Sequence, residues 1–251
     1  IHIVKRDDEI DIQKIMNWEE VKEIIVPELV CTRRAGENLE DLIYRNVEGT
    51  DLAIIYRVKQ QVANIVGSIK VSKQMMETWG VDENRIHEFA FHNMNQLSTL
   101  QIVELNSDFA MPEETFSELP EKMNKYSSYV FTNKEAFYGA ATIMEEGMLH
   151  SIAERLQEGF YLLPMDVDNI VVYPEGMMKN LESIHSMVLI HNIQCLEPEN
   201  YLSDQVYYYS KEKGELSMST NPENTQDVII KILQQAMECS PGKKEDYGEE
   251  R

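Results

Sequence analysis

The sequence predicts an α+β fold, with largely antiparallel sheets built from β-hairpins and packed against helices. Three observations predict it. Strand-like stretches arrive in pairs joined by short turns, which is how antiparallel neighbours are connected. Helical stretches follow those pairs instead of alternating with single strands, which argues against a doubly wound parallel sheet. And 43% of the 251 residues are apolar, enough for a sizeable core.

In chain order, residues 18–29 read as an amphipathic helix, with Asn17 as N-cap and Glu19, Glu20 and Glu23 near the positive end of its dipole. Residues 51–59 and 64–72 are rich in Ile and Val and read as the two strands of a hairpin. Ser72 then caps a helix that Gly80 stops, and Asp82 caps another that runs to about Leu97. Residues 111–120, with Pro112, Pro120 and scattered acids, read as a loop. They mark a boundary between an N-terminal α+β region, 1–110, and a C-terminal one, 121–238.

After that boundary the same order returns as an echo. Residues 127–132 read as a strand, 133–136 as a turn, 137–144 as a second strand and 147–156 as a helix. Residues 159–163 and 169–173 form a further hairpin, 177–193 a helix, and 205–209 with 214–218 a last hairpin. From Asn224 or Thr225 to about Glu238 a helix carries an apolar stripe that includes Ile229, Ile232 and Leu233, expected to dock on the protein's own core. Residues 239–251 are polar and are expected to be a disordered tail.

Charge excludes several functions. Acidic residues outnumber basic ones 44 to 23, for a net charge of -21. Such a chain repels phosphate backbones and anionic lipid, so neither nucleic acid nor membrane is an expected partner. No apolar run approaches the roughly 18 residues of a bilayer span. Between residues 82 and 121 the acids face a single base, Arg85, which reads as a solvated face. Cys31, Cys195 and Cys239 are odd in number, far apart and without a CxxC pair, so they read as reduced thiols of a cytoplasmic protein. The chain starts without Met and without an apolar leader, so a truncated N-terminus is expected.

The chemistry is mostly near misses. His87 and His92 flank a Glu but are five apart, which turns the second ring by about 140° and prevents both from binding one metal. Glu88 and His92, four apart, suit a surface pair. Asp166, Asp168 and Asn169 begin like a calcium loop but lack its glycine and distal glutamate, so they read as a hairpin turn. His185 and His191 lie on different helix faces. There is no nucleophile elbow, phosphate loop or dinucleotide fingerprint. The run Gly139-Ala140-Ala141 reads as a close-packing segment. No cofactor and no metal are expected. If the protein has catalytic residues, the candidates are Asn133, Tyr138, Asp166 and Asp168, set between the hairpin layers.

Three blocks carry a resemblance to a known family. They are Asp51-Leu52-Ala53-Ile54-Ile55-Tyr56 with Trp79-Gly80-Val81, then Phe131-Thr132-Asn133-Lys134 with Tyr138-Gly139-Ala140-Ala141, then the Tyr201-Leu202-Ser203-Asp204 run ending in Tyr207-Tyr208-Tyr209. In order and spacing they resemble the bacterial family called domain of unknown function 5688, found mostly in gut and anaerobic Firmicutes, over about residues 15–218. The resemblance implies a bacterial cytoplasmic protein and brings no activity with it. Relatives tend to read Leu-Pro-Ser-Ser-x-His-Glu where this chain has Leu163-Pro164-Met165-Asp166-Val167-Asp168-Asn169, so any family chemistry at that turn is in doubt here. The leading functional expectation is a non-catalytic protein that binds another protein. A hydrolase-like enzyme and an acidic DNA-mimic decoy are the alternatives, and the oligomeric state is left open.

Overall fold

The computed structural model describes residues 12–33, 39–62, 65–97, 99–106, 112–195 and 197–239. Every strand pairing among them is antiparallel, as expected of an α+β fold. After the short helices α1 (Ile12–Ile15) and α2 (Trp18–Val21) comes a four-stranded sheet of β1 (Ile25–Cys31), β2 (Tyr44–Asn46), β3 (Leu52–Val62) and β4 (Ile65–Lys70). In it β3 is central, with β1 on one side and β2 and β4 on the other. Helices α3 (Lys73–Trp79) and α4 (Glu83–Leu97) follow.

A seven-stranded sheet takes the rest, from β5 (Leu100–Leu105), β6 (Pro112–Phe116), β7 (Ser128–Asn133), β8 (Phe160–Pro164), β9 (Ile170–Pro174), β10 (Tyr207–Ser210) and β11 (Glu215–Met218). Its order is β11-β10-β8-β9-β7-β5-β6. Helices α5 (Met148–Leu156), α6 (Leu181–Cys195) and α7 (Pro222–Cys239) complete the fold.

The capping signals work as read. Ser72 Oγ accepts the Met75 N–H at 3.2 Å, Gly80 ends α3 at a φ of 66°, and Asp82 Oδ1 accepts the Arg85 N–H at 2.8 Å. Asn17 also caps as expected, its Oδ1 accepting the Glu19 N–H at 3.2 Å. The helix it starts is nonetheless short. The helix expected over 18–29 ends at Val21, and the segment from Ile25 onward is β1, buried along its whole length. Its Ile-Val-Pro start explains this. β-branched side chains and a proline favour extended backbone, and an apolar run without alternation does not by itself distinguish a buried strand from a buried helix. Pro27 has no N–H to donate, and β1 is an edge strand, where that is tolerated.

Two further expectations fail. The loop expected over 111–120 contains β6, which pairs with β5, and β5 pairs with β7. Segments from either side of the expected boundary are therefore in one sheet, and one hydrophobic cluster runs from Ile25 and Tyr56 through Phe131 and Phe160 to Leu216. β6 is the edge strand of that sheet, and its exposed Glu113 and Glu114 discourage a further strand from pairing there. The strand expected over 137–144 is a 3-10 helix, Gly139–Met144. Ala136 and Tyr138 take positive φ values of 45° and 55°, which turn the chain out of the sheet. The hairpin-then-helix order of residues 52–97 thus has no second copy at this point. Gly139 does serve close packing: a Cβ there would meet the Asp168 carbonyl oxygen at 2.5 Å and Asn133 N at 2.7 Å.

A second apolar cluster lies where α6 packs, around Leu163, Val171, Tyr173, Val188 and Val206. Among the described residues no helix is long and apolar enough to cross a membrane. Except for Cys239, the tail expected over 239–251 lies outside the described residues.

Candidate functional site

The four residues singled out in the sequence do meet, at a joint between the two sheets. Asn133 ends β7 and folds its amide back on the next turn. Its Nδ2 donates to the Phe137 carbonyl at 2.9 Å and its Oδ1 accepts the Phe137 N–H at 3.0 Å. This delivers Tyr138 toward the smaller sheet, where its hydroxyl hydrogen-bonds Ser68 Oγ at 2.9 Å. Asp166 forms the β8–β9 turn, its Oδ1 accepting the Asp168 N–H at 2.8 Å and an Asn169 Nδ2 hydrogen at 2.8 Å. Asp168 then reaches across, and its Oδ1 accepts the Tyr138 N–H at 2.6 Å.

Sequence reasoning missed the other half of this joint. Glu28 of β1 is 3% exposed and is paired with the Arg57 guanidinium of β3. Arg57 also donates to Ser68 Oγ at 3.0 Å, and it lies over the Tyr138 ring, 4.9 Å from the centroid. The signal was a charged residue on each of two apolar runs, but Glu28 fell inside the misread helix. Burial pushes the Asp168 carboxyl up to about 6, and the negative charges of Asp166 and Glu28 add to it, against the N–H bonds from Tyr138 and Gly139. Burial also pushes the Tyr138 phenol upward.

A second polar cluster was not anticipated at all. Asp51, just before β3, is buried beneath β10. Tyr207 donates its hydroxyl to Asp51 Oδ1 at 2.7 Å and lies 2.7 Å from Ser203 Oγ, which accepts the Gln205 N–H at 3.0 Å. The Cys31 thiol donates to Asp51 Oδ2 at 3.6 Å. Cys31, Asp51, Ser203 and Gln205 floor a cleft of about 340 Å³ that Arg33, Tyr201, Asp204 and the first turns of α7 also line. Burial first, and then the Asp51 carboxylate, push the Cys31 thiol up to about 11, so it stays protonated near neutral pH. Tyr207 is pushed well above the ordinary phenol range by burial. The only advance signal was that Asp51 and Ser203 each belong to a block that carries the family resemblance.

A third feature is a groove of about 570 Å³ beside the start of α6, lined by Tyr126, Tyr173, Met177, Lys179 and Ile184 among others. Tyr126 is 68% exposed there, and Met165, Met177, Met178 and Met187 are only half-buried against the cluster beneath α6.

The histidines go separate ways. His87 Nδ1 is 2.9 Å from the Tyr56 hydroxyl, while His92 is exposed. Glu88 is ion-paired with Arg85 at 2.8 Å, not with His92 as expected. His185 Nε2 is 2.9 Å from the Asp204 carbonyl oxygen. Among the described residues no group of three His, Cys, Asp or Glu is placed to hold a metal ion.

Fold and sites thus define an α+β protein of two antiparallel sheets, joined through a clamped charge cluster and bearing a polar cleft and an apolar groove. The chain belongs to the family of unknown function DUF5688, whose model matches residues 2–211. No curated protein and no solved structure matches it.

Proposed function

We propose that the protein acts in the bacterial cytoplasm by holding a protein partner, not by covalent catalysis. The observation that carries this reading is the groove beside α6. Exposed Tyr126, with Tyr173, Ile184 and the half-buried Met177 lining the same groove, supplies large, adaptable apolar contacts, and such side chains are favoured at binding surfaces. The net charge of -21 favours a partner segment that is apolar on one face and basic around it. The candidate acid–base groups support the same reading. Asn133 and Asp166 are used to close turns, and Cys31 is held as a neutral thiol.

The test is affinity capture from cell extract with the wild-type protein, Tyr126→Ala and the control Tyr44→Ala. The expected result is a defined partner kept through moderate salt by wild type and by Tyr44→Ala and lost by Tyr126→Ala. A partner equally retained by Tyr126→Ala, or none surviving moderate salt, sinks the proposal.

One observation favours a second reading, a hydrolase-like site at the joint. The Asp168 carboxyl titrates near 6, where a general acid or base is useful. That reading requires ester or phosphoester hydrolysis that Asp168→Asn abolishes and that changes with pH around 6.

A further inference from the structure

We propose that α7 is a hinged cover over the cleft floored by Asp51 and Cys31, opening while the rest of the molecule stays folded. The floor and most of the walls come from β1, the residue before β3 and the segment 201–205, whereas Pro222, Thr225, Gln226 and Ile229 of α7 close the remaining side. With α7 in place Cys31, Asp51, Ser203 and Gln205 are all 5% exposed or less.

The cover is lightly held. Among the described side chains of α7 only Thr225 is buried, Val228, Ile229 and Ile232 are half-buried, and Ile230 is 51% exposed. Among the described residues the polar clasp is a single point. Gln205 Nε2 donates to Thr225 Oγ1 at 3.1 Å, while Gln205 Oε1 accepts from Thr220 Oγ1 at 2.7 Å. The other tie, Lys231 to Glu182 at 3.5 Å, joins two exposed side chains and contributes little. No strand pairing involves α7, so it can lift without breaking a sheet. The short link between β11 and α7 supplies the hinge. The family match also ends before α7 begins, so the cleft's floor lies inside the matched span and its cover outside it.

Cys31 reports opening. The experiment uses the full chain with Cys195→Ser and Cys239→Ser and follows alkylation of Cys31 by iodoacetamide across low urea concentrations. If α7 lifts alone, little surface is exposed, so labelling depends on urea far more shallowly than global unfolding does. Thr225→Val, which strands the Gln205 amide, should speed labelling about tenfold. Phe131→Leu, a core change in β7 distant from α7 in the sequence, should lower global stability yet leave Cys31 labelling unchanged. The proposal is overturned if labelling follows the global unfolding slope, if Phe131→Leu accelerates it as much as Thr225→Val does, or if Cys31 is labelled only after the whole protein unfolds.

Discussion

The joint between the sheets and the cleft beneath α7 are both polar and both built from residues far apart in sequence, yet they are stabilised in opposite ways. At the joint, two turns and three strands grip one another. Asp168 holds the Tyr138 backbone, Tyr138 holds Ser68, and Arg57 holds Ser68 and Glu28 together. At the cleft, hydrogen bonds link Cys31, Asp51, Tyr207 and Ser203 in a chain, but one wall is a helix whose polar tie to that floor, among the described residues, is a single amide–hydroxyl contact. A buried charge demands partners from every side, so it locks the elements around it. Asp51 at the cleft is a buried charge too, but the partners seen for it, the Tyr207 hydroxyl, the Cys31 thiol and Arg33, all lie outside α7, so that wall can move without stranding it.

The largest expected effect falls at the joint. Arg57→Met leaves the Glu28 carboxylate buried without its cation and should cost about 3–5 kcal/mol in urea unfolding. A loss below about 1 kcal/mol would show that the joint is no tighter than the cleft, and the contrast would collapse. Tyr207→Phe should cost less, about 1–3 kcal/mol, because Asp51 loses its hydroxyl donor but keeps the Cys31 thiol and Arg33 nearby. A thermal scan checks it, and a cost matching that of Arg57→Met would mean the cleft floor is clamped as firmly as the joint.

The smallest effect is the pH dependence of the joint. The Asp168 carboxyl titrates at about 6 in the folded protein against an ordinary 3.8, so the folded state takes up this proton more readily than the unfolded state. Its contribution to stability is fully present below pH 4 or so and is lost as the pH rises through about 6. The carboxyl is only half-buried, and after allowance for solvent screening the difference amounts to about 1 kcal/mol. Asp168→Asn should remove that slope between acid and neutral pH, measured as the difference from wild type. An unchanged slope would mean that burial does not raise the Asp168 carboxyl.

Much of this architecture was readable in advance, and the exceptions share a cause. The hairpins of β3 with β4, β8 with β9 and β10 with β11 were legible because alternation and turn residues lie within a few positions of each other. β1 was not, because a short apolar run interrupted only by Glu28 has no period to betray its state. The strand expected over 137–144 failed because the positive φ at Ala136 and Tyr138 accompanies the turn that Asn133 closes from four residues away and that Asp168 braces from the β8–β9 turn. The convergence of Asn133, Asp166 and Asp168 could be anticipated because all three belong to turns at the ends of strands, whereas Tyr138, read as part of a strand, meets them through the turn that stands there instead. The partners of that cluster could not: Arg57 finds Glu28 from 29 positions away, and Tyr207 finds Asp51 from 156.

By itself the amino-acid order determined that this protein has antiparallel ribbons with helices against them, where several caps and turns fall, and an acidic exterior hostile to phosphate. Those properties arise from forces acting within a turn or two of backbone, or from the simple sum of charges. Tertiary structure alone decided that Glu28 would have a cation, that Asp51 would have a phenol and a thiol above it, and that the first turns of an eighteen-residue helix would line that cleft. The physical reason is that pairing a buried polar group is settled by whatever the packed sheets bring within about 3 Å, and no local pattern encodes which distant residue that will be.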